Sequence, residues 1–130
     1  MTVAAGIDIV SVARIDALIR RSGDGFTQRW FTPAEIAYCT GKAVPSRHFA
    51  ARMAAKEAVA KILPSGWDGP LAWKAIEILG SSDAAPSVRL AGRPLALAQQ
   101  AGLGGIGVSM SHCDDYATAI AFARDEAAGT

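Results

Sequence analysis

A chain of 130 residues with 51% hydrophobic and 19% charged residues has the size and composition of one globular domain, so we expect a single domain over residues 1–130. A net charge of +1 gives no general attraction to nucleic acid. No apolar stretch approaches the roughly 20 residues of a membrane span, so neither nucleic acid nor a membrane is expected as a partner.

The first third of the chain predicts a strand followed by two helices. Residues 4–10 alternate like a strand, and Ser11 can cap a helix that ends at the glycine-containing turn 22–25. A second helix start is stronger, because Thr32 is a good cap, a proline follows it and Glu35 completes a capping box.

The remaining chain predicts one long helix and four strands. The long helix begins with Ser46 as its cap and runs to about Leu63. The later elements are a strand at 71–79, its hairpin partner at 87–90, a short helix at 93–101, and a closing strand pair at 106–112 and 116–124. This order predicts an α+β fold, a compact single domain with an antiparallel sheet and one long helix.

The long helix carries an unusual charged pair. At about 100° per residue, an apolar stripe runs from Ala51 to Ile62, and Arg52 and Lys56 form an ordinary basic edge. Glu57 and Lys61 lie one turn apart, away from that edge. They could be a solvent-exposed ion pair of small energetic value, or a carboxylate for a metal and an ammonium for a phosphate.

Asp8 favours the second interpretation. It lies within the apolar strand GIDIV, on the opposite face from Ile7 and Ile9. Burial there would be costly unless the carboxylate were paired or bound to metal, although it could also face water or cap the next helix. With Glu57 it would form a sparse oxygen-only site, which suits Mg²⁺ better than zinc.

Three further features limit the chemistry. Cys39 and Cys113 lack metal-ligand spacing and, with no export signal expected, favour a reducing cytoplasm. The glycines of 102–107 are interpreted as a turn, since no phosphate-loop Lys–Ser/Thr follows them. His112 ends a strand and could be either a plain turn residue or a hydrogen-bonding partner of a phosphate or a mobile proton.

Four segments together resemble the holo-acyl-carrier-protein synthases. They are GIDIV, FTPAE, ARMAAKEAVAK and VSMSH, in that order and at approximately that spacing, and the similarity covers nearly the whole chain. The resemblance implies a 4′-phosphopantetheinyl transferase fold that assembles as a homotrimer, with active sites at the subunit interfaces. The alanine-rich helices, which bury little area each, also make an oligomer plausible.

The resemblance also implies roles for residues. Asp8 and Glu57 would bind Mg²⁺, Lys61 would contact the phosphates, and His112 would lie beside coenzyme A. The remaining coenzyme A contacts would come from Ser111, Lys42 and Arg47, and an acidic acyl carrier protein would dock on Arg14, Arg20 and Arg21.

The expected reaction is transfer of 4′-phosphopantetheine from coenzyme A to a serine of an apo acyl carrier protein, releasing adenosine 3′,5′-bisphosphate. Glu57, Lys61 and His112 are the predicted catalytic residues, and either Glu57 or a metal-bound water would take the serine proton. The carrier could serve fatty-acid, polyketide or peptide synthesis. The alternatives are a non-catalytic carrier-binding module and another Mg²⁺-dependent phosphate enzyme.

Overall fold

The computed structural model describes residues 3–64, 70–81 and 84–125. Five strands form one sheet in the order β1-β5-β4-β3-β2, and neighbouring strands are antiparallel. The strands are β1 (Val3–Ser11), β2 (Ile76–Ser81), β3 (Ala84–Leu90), β4 (Leu103–His112) and β5 (Tyr116–Asp125). The helices are α1 (Val12–Ser22), α2 (Asp24–Trp30), α3 (Pro33–Thr40), α4 (Pro45–Ile62), a 3₁₀ turn (Pro70–Ala75) and α5 (Gly92–Gln100). This α+β architecture is the predicted one.

The predicted caps of the first helices are confirmed. The Ser11 hydroxyl accepts a hydrogen bond from the Arg14 amide at the start of α1. Thr32 and Glu35 form the complete capping box of α3. Gly23 ends α1 with a φ of 50°, a conformation that glycine adopts without strain.

Helix α2 was not predicted. It begins directly after Gly23, and its seven residues are too few to show a helical period. Phe26 is buried on it and meets the buried Phe31 edge-on, with ring centroids 6.2 Å apart. A short helix of this kind is stabilised by tertiary packing rather than by its own sequence.

Three other boundaries differ from prediction. Ser46 does not cap α4, because Pro45 already occupies the first helical position, Val44 is the cap and Ser46 is buried. The first part of the predicted strand 71–79 is the 3₁₀ turn, and β2 starts at Ile76. Only Gly102, with a φ of 67°, has a turn conformation in the segment 102–107, since β4 begins at Leu103.

Helix α4 lies across one face of the sheet and is buried on nearly every side. Its second half packs on β1, β4 and β5, while its first half packs against α1 and α3. The prediction of a basic edge on α4 is therefore wrong: Arg52 is 3% exposed and Lys56 is fully buried.

The opposite face of the sheet is open and apolar. Ile7 and Ile9 of β1 are each 64% exposed, and Ile120 and Phe122 of β5 are also exposed. In the antiparallel register Ile7 lies opposite Ile120, so these side chains form a continuous patch. No helix among residues 3–64, 70–81 and 84–125 has the length and hydropathy needed to cross a membrane.

Candidate active site

Strand β1 carries Asp8, and helix α4 carries Glu57 and Lys61. The fold brings these side chains together although Asp8 precedes Glu57 by 49 positions in the sequence. The close approach depends on Gly6, because a Cβ there would overlap the carbonyl oxygen of Ala58. The Lys61 ammonium donates to the Ile7 carbonyl at 2.6 Å and lies 3.3 Å from Asp8 Oδ1. The three predicted residues therefore form one cluster.

Burial and Asp8 perturb the Glu57 carboxyl. They raise the pKa of Glu57 from 4.5 to about 7: burial acts most strongly, followed by hydrogen bonding to Asp8 and repulsion from its charge. The positive charges of Lys61 and Arg14 lower the same pKa and only partly offset these effects. Two carboxyl groups thus share a half-buried site with one cation beside them.

The cluster fits a hard divalent cation. The Asp8 side chain is only 16% exposed, and its Oδ2 is buried with no hydrogen-bond donor among the described residues. A cation would satisfy that oxygen and relieve the repulsion between the carboxylates. No group of three or more His, Cys, Asp or Glu side chains with metal-binding geometry occurs within the described part of the chain. Two carboxylates alone suit Mg²⁺, which keeps waters and binds substrate phosphates.

A cleft of about 560 Å³ opens beside this cluster, between β1, α1, α2 and α4. Its wall combines apolar side chains, including Leu18, Phe26 and Trp30, with the cations Arg14 and Arg29 and the carboxyl of Glu57. The predicted docking arginines relate to it differently. Arg14 lines the cleft, whereas exposed Arg20 is paired with Asp16 at 2.7 Å. Arg29 was not predicted, because it lies on the unpredicted helix α2.

A second cluster contains the predicted coenzyme A contacts His112, Lys42 and Arg47, but not Ser111. The His112 ring meets His48 edge-on, with centroids 5.0 Å apart. Burial, together with His112 and neighbouring Lys42, Arg52 and Arg47, lowers the pKa of His48. Arg47 pairs with Asp114 at 2.7 Å. Ser111 is exposed and alternates with His112 along β4, so it belongs to the opposite face of the sheet.

Arg52 is a member of the second cluster that sequence reasoning missed. Its guanidinium lies 4.0 Å from the centroid of the Tyr38 ring, and Lys42 Nζ lies 4.4 Å from the same centroid. Arg52 Nε is buried and finds no acceptor within the described residues. A buried donor without an acceptor, close to other cations, is suited to an anion. The helical projection concealed this residue, since it assumes that only one side of α4 is buried.

The two clusters are separate within one chain. His48 and Glu57 are nine positions apart on α4, which places them about 13 Å apart along the axis and on opposite sides of it. Within one chain, therefore, His112 is not brought to Glu57 and Lys61 as predicted.

The whole chain matches known proteins. Residues 4–121 match the family model described as the 4′-phosphopantetheinyl transferase superfamily. The chain is 45% identical over 117 residues to the holo-[acyl-carrier-protein] synthase of Moorella thermoacetica, covering 90% of each protein. It is 42% identical over 127 residues to that of Koribacter versatilis, covering 96% of this chain and 100% of the other.

Solved structures show the same fold. The holo-[acyl-carrier-protein] synthase of Neisseria meningitidis is 31% identical with a TM-score of 0.79, covering 93% of this chain and 97% of the other. That of Helicobacter pylori, solved in complex with coenzyme A, is 32% identical with a TM-score of 0.78, covering 92% and 99%. This chain therefore belongs to the 4′-phosphopantetheinyl transferase superfamily and, within it, to the holo-[acyl-carrier-protein] synthases.

Proposed function

We propose that the Asp8–Glu57–Lys61 cluster is where this chain transfers 4′-phosphopantetheine from coenzyme A to a serine of an apo acyl carrier protein. The observation that carries the proposal is the pairing of two carboxyls beside one ammonium, with Asp8 Oδ2 left without a donor among the residues that the structure describes. Such a pairing is unfavourable in the free protein and becomes favourable when a cation binds.

Asp8 and Glu57 would hold Mg²⁺, which stabilises charge on the diphosphate of coenzyme A. Lys61 is 55% exposed at its side chain, so its ammonium can reach a phosphate oxygen while its stem stays packed on β1. It would neutralise the leaving adenosine 3′,5′-bisphosphate as the serine oxygen bonds to the phosphorus that carries pantetheine and the P–O bond within the diphosphate breaks. The serine proton would pass to Glu57 or to a water beside it.

The nucleotide end of coenzyme A would bind at the second cluster. Cations and imidazoles meet there from three elements: the first half of α4 supplies Arg47, His48 and Arg52, the loop before it supplies Lys42, and the end of β4 supplies His112. Arg52 offers an unused buried donor, and the Tyr38 ring fixes its guanidinium plane. Ser111 stays a prediction as a coenzyme A ligand, and it would act from the open face of the sheet.

The two ends of coenzyme A would be held by different subunits of a homotrimer. The clusters lie on opposite sides of α4, so one chain cannot present both to a single bound molecule in the same direction. The open sheet face with Ile7, Ile9, Ile120 and Phe122 supplies the apolar area that subunit association needs. A neighbour packed there would complete the site.

The acidic carrier protein would dock at the cleft beside Glu57. Arg14 and Arg29 line this cleft around an apolar floor that includes Trp30, and Arg21 on the same helix α1 adds a further exposed charge. Arg20 contributes less, because Asp16 already neutralises it. Cys39 and Cys113 are free, and a cytoplasmic location stays a prediction.

Mass spectrometry of an apo acyl carrier protein, incubated with the chain, coenzyme A and Mg²⁺, tests the function. A gain of one phosphopantetheine supports the transferase, and binding with no gain would support a non-catalytic carrier-binding module. Omitting Mg²⁺ and adding a chelator should stop the gain.

Mixing two inactive variants tests the shared site. We expect Glu57→Gln and His112→Ala each to be inactive alone. Refolded together in equal amounts, they should recover about a quarter of wild-type activity, the share of interfaces that pair two intact halves. No recovery would show that each chain carries a complete site by itself.

A further inference from the structure

A buried ion pair lies behind the candidate active site. Lys56, the residue directly before Glu57, and Glu35 of α3 have no solvent-exposed side-chain area. Lys56 Nζ donates to Glu35 Oε1 at 2.8 Å, to the Trp73 carbonyl at 2.9 Å and to the Ile76 carbonyl at 2.5 Å. All three donor hydrogens of the ammonium are therefore used.

Glu35 is equally well satisfied. Its Oε1 also accepts from the Thr32 amide at 2.9 Å in the capping box, and its Oε2 accepts from the Ile78 amide of the edge strand β2 at 3.0 Å. The two side chains thus connect four elements, namely α3, α4, the 3₁₀ turn and β2. Thr32 adds a further link, because its hydroxyl donates to Glu77 of β2 at 2.6 Å.

The other buried contacts of α4 are of two kinds. Phe49, Met53 and Val59 pack larger side chains against the neighbouring helices and the sheet. The remaining apolar contacts come from alanines, which form low ridges and constrain the rotation of the helix less. They are Ala50, Ala51, Ala54, Ala55 and Ala58. The end of a side chain lies about 5 Å from the helix axis, so a rotation of α4 by about 20° would displace it by roughly 2 Å. A metal ligand tolerates only about 0.5 Å.

We propose that Lys56 and Glu35 are positioning residues that hold α4 at the rotation at which the Glu57 carboxylate meets Asp8. Consecutive residues point about 100° apart around a helix, so anchoring Lys56 on the side of β2 fixes the direction of Glu57 toward β1. Neither side chain lines the cleft beside Glu57. The inference rests on the proposed role of Glu57 in binding the metal.

A buried ion pair of this kind need not add stability. Replacing both partners of such a pair by neutral residues is often harmless to stability, whereas removing one partner strands a buried charge. Stability and positioning can therefore be separated. Lys56→Met leaves Glu35 charged and buried, while the double variant Glu35→Gln with Lys56→Met leaves no charge and still lacks the ammonium that binds Trp73 and Ile76.

Titration with Mn²⁺ in the presence of coenzyme A, followed by electron paramagnetic resonance, measures the metal site without requiring turnover. We expect both Lys56 variants to bind Mn²⁺ at least about tenfold more weakly than wild type, the usual consequence of losing support behind a ligand. The double variant should unfold at a temperature closer to wild type than the single variant does. Lys74→Met, which removes an exposed lysine from the 3₁₀ turn, should leave metal binding unchanged.

Three outcomes would overturn the inference. Wild-type Mn²⁺ affinity in the double variant would show that the pair only stabilises the fold. A double variant that does not fold would show that the pair is required for folding itself. Loss of affinity in Lys74→Met would show that the effect is unspecific. Glu57→Gln is measured in parallel, since normal Mn²⁺ binding there would instead refute the proposed metal site.

Discussion

Replacing Glu57 by glutamine tests the electrostatics of the site in the metal-free protein. The carboxyl has a pKa of about 7 in the fold and 4.5 in the unfolded chain. Between these values the folded state binds more protons than the unfolded state, so this group makes the wild-type fold less stable as pH rises from about 4.5 to about 7. Glutamine has no such titration. The variant should therefore be more stable than wild type above pH 7 and similar to it below pH 4.5.

The size of the effect follows from the shift. A change from 4.5 to about 7 corresponds to at most about 3.4 kcal/mol at 1.36 kcal/mol per pKa unit. Because Glu57 is only half-buried, solvent screening reduces this to roughly 1–2 kcal/mol. For a domain of this size, this free-energy difference means that Glu57→Gln should melt about 3–8 °C higher than wild type above pH 7.

Thermal or urea unfolding at pH 5 and pH 8, with a chelator and at one fixed protein concentration, measures this difference. Adding Mg²⁺ should then stabilise wild type and leave the variant nearly unchanged. Asp16→Asn is a matched control, because its exposed pair with Arg20 should change stability by less than about 1 kcal/mol. A Glu57→Gln protein with the same free energy of unfolding as wild type at pH 8 would refute the unfavourable burial of the Glu57 carboxylate beside Asp8.

Three further predictions concern the fold, the assembly and the partner. Gly6→Ala should destabilise the chain by about 1–3 kcal/mol and lower activity, because its Cβ would overlap the Ala58 carbonyl and separate β1 from α4. Thermal unfolding measures the stability and the transfer assay measures the activity. An unchanged melting temperature would contradict the close approach of β1 and α4. Ile7→Lys places a charge on the open sheet face, so it should convert a trimer of about three times 13.5 kDa into monomers and abolish activity. Light scattering measures the mass and the transfer assay measures the activity. An active monomer would refute shared sites. Arg14→Glu combined with Arg21→Glu should raise the KM for the carrier protein and leave the KM for coenzyme A unchanged. The difference from wild type should shrink as salt rises. A wild-type KM for the carrier protein at low salt would exclude α1 as the docking surface.

Local signals in the sequence were sufficient where the interaction itself is local. The caps at Ser11 and Thr32 involve partners three residues away, so their residue types alone predicted the helix starts. Strand β1 was predictable in the same way, because alternation assigns Ile7 and Ile9 to one face and Asp8 to the other. Asp8 of GIDIV was singled out as well, since an aspartate in an apolar strand is costly without a function, and it drew attention to Glu57 and Lys61 of ARMAAKEAVAK.

Tertiary structure decided the surroundings of α4, which no local signal contains. A helical projection assumes one buried side, and α4 is enclosed by the sheet on one side and by α1 and α3 on the other. Lys56 and Arg52, which look like a solvated edge in projection, are consequently buried, the first on backbone carbonyls and the second on the Tyr38 ring. The separation of His112 from Glu57 also depends on tertiary structure. The fold places the end of β4 beside His48, on the side of α4 opposite Glu57, and these segments are far apart in the sequence.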